Sequence, residues 1–170
     1  SMGRLFDAAA AVLGVRGAAQ FEGQAAMELE ALAGTHSAEP LPFPVASDGG
    51  AGWVLDPIPL LVALGEGRLA GRATPELAAA FHESITAASV NVVLRAAAAA
   101  GTRCVALGGG CFQNARLFLS LRSRLEAHGL RVLVPEQLGP NDGPVSFGQA
   151  ASAAALPAAR AADSAATAGE

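Results

Sequence analysis

The chain has 170 residues, of which 52% are hydrophobic and 15% charged, a composition typical of one compact domain. Its formal net charge is −4, its aromatic content is 5% and it has no tyrosine, so it lacks both the basic surface and the stacking platforms that nucleic-acid binders use. All 11 basic residues are arginine. The absence of lysine excludes a Walker A phosphate loop and Schiff-base catalysis.

Cysteine content and hydropathy indicate the compartment. The 2 cysteines, Cys104 and Cys111, are too few for a disulfide scaffold. The first residues contain no apolar signal core, and no uninterrupted apolar run approaches the roughly 20 residues needed to cross a bilayer. We therefore expect a cytoplasmic protein that has neither a membrane nor a nucleic acid as a partner.

The first third of the chain is predicted to contain two short helices and a loop. Apolar spacing predicts helices over 5–13 and 24–33, and in the second of them Leu29 and Leu32 are expected to face inward. Spaced prolines and glycines in 35–52 favour a loop with at most one edge strand, because proline removes a backbone donor from a sheet.

An Asp-Pro pair and a Thr-Pro pair mark the starts of the next two helices. Asp56 is expected to cap a helix that has Pro57 at its first position, and Thr74 is expected to cap a long helix over 75–100. The inward face of the long helix is predicted to carry Leu77, Phe81, Ile85, Ala88 and Val92.

The rest of the chain alternates between strands and helices. Apolar runs at 103–107 and 131–134 predict strands buried on both faces, separated by a helix over 113–128 and followed by a helix that opens at Pro144. This order predicts a parallel βαβ unit with a right-handed crossover. Ligands of such sheets bind outside the carboxyl ends of the strands, which here are the loops 108–112 and 135–143.

The first of these loops is rich in glycine. Gly108, Gly109 and Gly110 follow a predicted strand and precede a helix, so the loop can act as a phosphate cradle at a helix N-terminus, with the Asn114 amide orienting the ligand. The alternative is a tight turn that lets strand and helix pack closely. A glycine triplet alone does not decide between the two.

The second loop ends in Asn141-Asp142-Gly143-Pro144. The Asp142 carboxylate is a candidate ligand for a hard divalent cation, because such loop ends converge on the ligand crevice. From these residues alone a helix cap is the favoured interpretation, since aspartate commonly precedes a helix start.

Carboxylates near the start of the chain are weaker candidates. Asp7 on the first helix and Glu22, beside Gly23 at the start of the second, are able to accept from ribose hydroxyls, although solvation at the surface is the simpler interpretation.

The histidines and cysteines do not form a recognised catalytic motif. His36, His82 and His128 include no pair spaced as in a zinc protease. Cys104 is expected to be inert in the core. Cys111 is expected to have a lowered pKa at a helix N-terminus, but with no histidine nearby it is assigned no catalytic role.

Several sequence blocks lie in chain order across nearly the whole chain, namely residues 3–14, 21–30, 108–114, 140–143 and 148–150. Together they resemble the C-terminal end of the hydrogenase maturation carbamoyltransferases, the HypF family. The resemblance implies an α/β fold, one lobe of the actin-like, sugar-kinase-like type, with a short parallel βαβ sheet flanked by helices. It implies that residues 1–160 form this lobe and that 161–170 are a low-complexity tail.

In that family, ATP activates the carbamoyl group of carbamoyl phosphate as a carbamoyl-adenylate. The group then passes to the C-terminal cysteine of a partner maturation protein and becomes the cyanide ligand of nickel-iron hydrogenase. The resemblance also implies a divalent metal, with Asp142 as one ligand and the others outside this chain. The residues implied to contact the nucleotide are Asp7, Glu22, Gly23, Gly109, Gly110 and Asn114.

The sequence departs from the family pattern in places. Gly108 stands where the family usually has serine, and Pro144 stands where it usually has a second glycine. No His-x-x-x-His pair is present to supply the other metal ligands, and we expect the upstream domains of the same protein to complete the site. The alternatives are a standalone nucleotide-binding or regulatory module, a scaffold fragment, and an O-carbamoyltransferase of a small molecule.

Overall fold

The computed structural model describes residues 1–47, 49 and 52–155. The tail expected at 161–170 lies outside the described residues. The helices are α1 (Met2–Val12), α2 (Gln24–Ala33), α3 (Ile58–Leu69), α4 (Thr74–Ala99) and α5 (Ala115–Ala127), and the strands are β1 (Val45–Ser47), β2 (Trp53–Leu55), β3 (Cys104–Ala106) and β4 (Arg131–Leu133). A 3₁₀ turn covers Gly110–Gln113, and a last helix covers 145–155.

Helix α4 is the central element, against which α2, α3 and α5 pack. Leu77, Phe81 and Ile85 lie on its predicted inward face and are fully or almost fully buried, and the ring of Phe81 meets Phe6 of α1 edge-on at 5.0 Å. Among the described helices only α4 has the length and apolar character of a membrane span, and 61% of that stretch is buried inside the fold. Burial among the neighbouring helices accounts for its apolar composition.

The bounds predicted for the first helices are confirmed within a few residues, but one core assignment is wrong. Leu32 is exposed, and Ala33 is buried in its place, because Ala25, Leu29 and Ala33 recur every four residues along the face of α2 that meets the core. The one edge strand expected within 35–52 is present as β1, and it pairs antiparallel with β2, a second strand that lies just beyond that stretch and was not predicted.

The two helix starts differ in how well they follow the prediction. The Asp56 carboxylate accepts a hydrogen bond from the backbone N–H of Ile58 at 3.0 Å, the contact expected of a cap, although Pro57 occupies the cap position and α3 begins one residue later than predicted. Thr74 is already the first residue of α4 and makes no capping hydrogen bond, since Ala73 occupies the cap position.

The βαβ prediction is confirmed by a parallel sheet in which Cys104 pairs with Arg131 and Ala106 with Leu133. The prediction that both faces of these strands are buried is wrong. Only the face carrying Val105 and its neighbour on β4 packs on helices, whereas Cys104, Ala106 and Leu133 are exposed. In the described chain the sheet has two strands, and α4 and α5 cover one side of it.

The carboxyl ends of β3 and β4 bring the two predicted ligand loops together. The N–H of Leu107 donates to the carbonyl of Leu133 at 2.9 Å, and the N–H of Gly109 donates to the carbonyl of Pro140 at 2.7 Å. The glycine loop and the loop that carries Asp142 are therefore joined at one edge of the sheet, as expected of parallel strands.

Candidate functional site

The glycine loop contains one glycine that the backbone requires and two that packing does not require. Gly109 has φ +107°, which only glycine adopts readily. A Cβ on Gly108 or Gly110 would meet no atom within 4 Å. The close-packing interpretation of the triplet predicts contact at these positions and is therefore not supported. Small residues here leave the backbone open at the mouth of the sheet.

The backbone donors of this loop are only partly used. Gly109 donates to Pro140, and Phe112 donates to the carbonyl of Gly109 at 3.0 Å. Within the described residues, the N–H groups of Gly110 and Cys111 have no hydrogen-bond acceptor. These two consecutive amides are available to an anionic ligand.

Two N–H groups in the first turn of α5, in contrast, already have protein acceptors. The Asn114 side-chain oxygen accepts from Leu117 N–H at 2.9 Å, and the Glu30 carboxylate accepts from Arg116 N–H at 3.1 Å. The expectation of unpaired amides in this first turn therefore fails for Arg116 and Leu117, and it holds among the described residues for Ala115. An anion at this edge would be held by the preceding turn.

Asn114 is buried and acts as the cap of α5. Its side-chain nitrogen also lies 3.0 Å from Nε2 of His82, which is 1% exposed. The assignment of Asn114 to a nucleotide stays a prediction. Its amide is oriented by α4 and α5 before any ligand binds.

His82 is a residue that the sequence interpretation left without a role. Burial lowers its pKa, opposed by the hydrogen bond between Nδ1 and the Ala78 carbonyl at 2.8 Å. In the sequence, its position next to Phe81, which was predicted to face inward, was a signal that His82 is buried. The partner of its other nitrogen, 32 residues later, was not predictable from helical spacing.

Arg116 ties α5 to the end of α2. Its guanidinium donates to the carbonyls of Gly34 and His36, each at 2.6 Å. A cation in the first turn of a helix is ordinarily unfavourable, and here the unpaired carbonyls at the end of α2 offset that cost.

The carboxylate of Asp142 is exposed and makes no hydrogen bond within the described residues. The following helix begins at residue 145, and the hydrogen bond that joins it to Asp142 in the described structure runs from Val145 N–H to the Asp142 backbone carbonyl at 3.1 Å. The capping interpretation is therefore not supported. No group of three or more potential metal ligands occurs in the described part of the chain.

The remaining candidate residues lie at the surface. Asp7 is exposed on α1 beside Phe6, whose ring lies 5.5 Å from that of His82. Gly23 has φ +79° at the N-cap of α2, which by itself explains a glycine there, and Glu22 is exposed next to it. Within the described structure, no hydrogen bond or ion pair joins Asp7 or Glu22 to the glycine loop, so their assignment stays a prediction.

Both cysteine expectations are corrected. Cys104 is exposed on the open face of the sheet and does not lie in the core. Cys111 packs against the main core, and burial raises the pKa of its thiol, opposed by the charge of the chain N-terminus. The lowered pKa expected from a helix N-terminus fails because burial disfavours the thiolate.

Comparison with known proteins gives a family. Residues 1–149 match the family model described as "Carbamoyltransferase, Kae1-like Domain, second subdomain". The carbamoyltransferase HypF2 of Cupriavidus necator is 40% identical over 174 residues, covering 88% of this chain and 21% of the relative. A HypF homologue from the same organism is 41% identical over 168 residues, covering 94% of this chain and 41% of the relative.

Solved structures agree. A crystal structure of full-length HypF in a phosphate- and nucleotide-bound form superposes with a TM-score of 0.81 at 35% identity, covering 88% of this chain and 19% of that one. The HypF of T. kodakarensis gives a TM-score of 0.69 at 25% identity. The expected α/β lobe is thus confirmed, and the chain spans about a fifth of the length of HypF2. The chain belongs to the family of the second subdomain of the Kae1-like carbamoyltransferase domain.

Proposed function

We propose that this chain forms one wall of the ATP site of a hydrogenase maturation carbamoyltransferase. In this proposal the carbamoyl group of carbamoyl phosphate, activated with ATP as a carbamoyl-adenylate, is transferred to the C-terminal cysteine of a partner maturation protein. The upstream domains of the same protein provide the opposite wall and the steps before transfer.

The observation that carries the proposal is the pair of unused amides in the glycine loop. Among the described residues, the N–H groups of Gly110 and Cys111 have no protein acceptor, and they lie at the carboxyl ends of two parallel strands. Gly108 and Gly110 have open space where a Cβ would stand, so a phosphate is able to approach the backbone. A relative with the same fold has been crystallised with phosphate and nucleotide bound, which favours this interpretation.

In the proposed site the loop binds and orients the nucleotide. The amides of Gly110 and Cys111 donate to phosphate oxygens, and Asp7, Glu22 and Gly23 lie toward the ribose. Bound ATP supplies an adenylate leaving group that activates the carbamoyl carbon. The chain's own part is positioning and charge stabilisation by fixed backbone dipoles, which need no reorganisation when charge develops.

The proposed metal fits this chain less well. Asp142 offers one exposed carboxylate, and the described residues contain no cluster able to hold a cation. Asp142 therefore remains a proposed single ligand beside others from the rest of the protein, and no step proposed here passes through the metal.

A binding measurement tests the half-site. Calorimetric titration of the 170-residue chain with ATP should give weak or unmeasurable binding, because a nucleotide exposed on one side loses part of its burial. Binding should strengthen in the full-length protein. A micromolar dissociation constant for the chain alone would instead favour a standalone nucleotide-binding module.

A substitution tests Asp142 in the full-length protein. Asp142→Asn keeps the size of the side chain but removes the charge that a hard cation requires, so metal content and transfer to the partner cysteine should fall together. Phosphate release from carbamoyl phosphate should persist, since that step belongs to an upstream domain in this proposal.

The matched control is Asp56→Asn, which removes one carboxylate charge at the start of α3 and keeps a capping oxygen. Transfer is read by intact-mass spectrometry of the partner protein, beside metal analysis and a phosphate assay. Normal transfer and normal metal content in Asp142→Asn would refute the ligand assignment.

A further inference from the structure

A buried polar contact joins the central helix to the start of α5. His82 is 1% exposed and Asn114 is 6% exposed, and their side chains meet at 3.0 Å. The rings of Phe6 and Phe81 lie edge-on to the imidazole, at 5.5 and 5.7 Å. Burying a histidine among aromatic rings carries a desolvation cost that a leucine or phenylalanine there would avoid. The hydrogen bonds of His82 show what a polar side chain contributes at this position.

The direction of these hydrogen bonds is fixed by the backbone at both ends. The Ala78 carbonyl only accepts, so Nδ1 of His82 carries a proton and Nε2 is an acceptor. The Leu117 N–H only donates, so the Asn114 oxygen faces it and the Asn114 nitrogen faces Nε2. One tautomer of His82 and one orientation of the Asn114 amide satisfy all three contacts in the series.

Asn114 also ends the glycine loop. Its backbone N–H donates to the carbonyl of Cys111 at 3.2 Å, which closes the 3₁₀ turn that carries the two unused amides. Its side chain and its backbone therefore hold the start of α5 and the end of the loop at once.

We propose that His82 is a positioning residue that fixes the Asn114 amide and, through it, holds the glycine loop in the arrangement that receives a phosphate. The consequence for ATP rests on the function proposed above, whereas the local arrangement does not. Nothing in this role requires His82 to touch a ligand.

The proposal has a consequence for protonation. A proton on Nε2 would face the Asn114 NH₂ group, donor against donor, so the pair would separate or the amide would turn and lose the cap on Leu117. The charged groups that act on His82 from the neighbouring helices are Arg116, which disfavours the imidazolium, and Glu30, which favours it. Low pH should therefore loosen the loop.

The first experiment uses NMR on the unmodified chain. At neutral pH the ¹⁵N shifts of the His82 ring should report a protonated Nδ1 and an unprotonated Nε2, and the backbone amide of Leu117 should be protected from hydrogen exchange. A ring protonated at Nε2 alone would overturn the proposal.

Substitutions then separate positioning from bulk packing. His82→Phe keeps an aromatic ring but removes the acceptor, so exchange at Leu117 should accelerate roughly five- to tenfold, as expected for one lost hydrogen bond, and the amide resonances of Gly110 and Cys111 should shift. His82→Gln retains a side-chain oxygen as an acceptor. Its exchange rate at Leu117 and its loop amide resonances should therefore stay close to those of the unmodified chain.

His128→Phe is the matched control, because His128 makes the same Nδ1 contact with a carbonyl four residues earlier, at 2.8 Å, but lies exposed at the end of α5. It should leave the Leu117, Gly110 and Cys111 signals unchanged. Unchanged protection and unchanged loop resonances in a folded His82→Phe chain would overturn the positioning role.

The catalytic readout is taken in the full-length protein. His82→Phe should raise KM for ATP several-fold with little change in kcat, and His82→Gln should lie close to the unmodified protein. An unchanged KM in an active His82→Phe protein would overturn the link to the nucleotide. An unmodified protein without transfer activity would contradict the proposed function, and the NMR experiments on the chain would still decide the local proposal.

Discussion

The helical first part of the molecule and the βαβ part that follows differ in how completely they bury their apolar residues. The cluster formed by α1 to α4 contains large side chains with no exposure at all, among them Leu29, Leu64 and Phe81. The cluster around α5 and the sheet is smaller, and Leu125 is its one member with no exposure, whereas Val90 and Leu130 retain 9% and 8%. The first part closes its own core, whereas the second covers only one face of its sheet. The candidate site lies in the second part.

Polar contacts connect the two parts at the start of α5. Asn114 meets His82 of α4, and Arg116 meets the carbonyls at the end of α2. These contacts therefore fix the position of the βαβ unit relative to the helical core. A ligand loop held this way is exposed but oriented, as a binding site requires.

The largest expected effect contrasts one core residue with one residue of the open face. Phe81→Ala should lower the free energy of unfolding by about 3–5 kcal/mol, because a fully buried ring leaves a cavity. Leu133→Ala, at a side chain that is 43% exposed, should cost about 1 kcal/mol or less. Urea denaturation of both variants measures the contrast. Equal losses would show that the face carrying Leu133 is covered in solution.

The next prediction concerns pH and the contact between the two parts. Burial lowers the pKa of His82 in the folded chain, so the folded state binds fewer protons than the unfolded state once the pH falls below about 6.5. This contribution to stability is fully present above that pH, is lost as the pH falls toward the lowered pKa, and changes no further below it.

The measurement is the difference in unfolding free energy between the unmodified chain and His82→Gln across pH. Subtraction cancels the contributions of the other titratable groups, which both chains share. These include Glu28, whose pKa is lowered by its hydrogen bond to Arg16 and which acts at lower pH. A difference in unfolding free energy that stays constant between about pH 7 and pH 5 would contradict a lowered pKa for His82.

Local sequence signals predicted the elements well. Apolar spacing and glycine stops placed α2 at its observed bounds, and the strand, helix, strand order gave the parallel pairing of β3 and β4. Both depend on contacts within one element or its neighbours. The same strand order predicted that the glycine loop and the loop of Asp142 meet at one edge of the sheet.

What the sequence did not reveal depends on neighbours that are distant in the chain or outside it. The apolar run at β3 was interpreted as buried on both faces, yet a run of this kind does not say which elements cover it. The role of Asn114 was visible in part, since asparagine is a preferred helix cap, but it was assigned to a ligand. Its contact with His82 depends on the tautomer of a ring 32 residues away.

Substitutions in the glycine loop are expected to cost less stability than Phe81→Ala, and they separate effects on the fold from effects on function. Gly109→Ala should cost about 1–3 kcal/mol, because φ +107° is strained for any residue with a Cβ. Gly110→Ala meets open space at an ordinary φ, so its stability should stay within about 1 kcal/mol of the unmodified chain.

If the loop receives a phosphate, the added methyl group stands beside an unused amide, and Gly110→Ala should weaken ATP binding by the full-length protein while leaving the fold intact. Gly129→Ala is the control for strain, since its φ of +78° lies at the end of α5, away from the loop, and it should destabilise without affecting ATP. Normal ATP binding by Gly110→Ala would mean that the open glycine loop is not the phosphate site. Binding that falls in parallel with stability in all three variants would mean that the loop acts only through the fold.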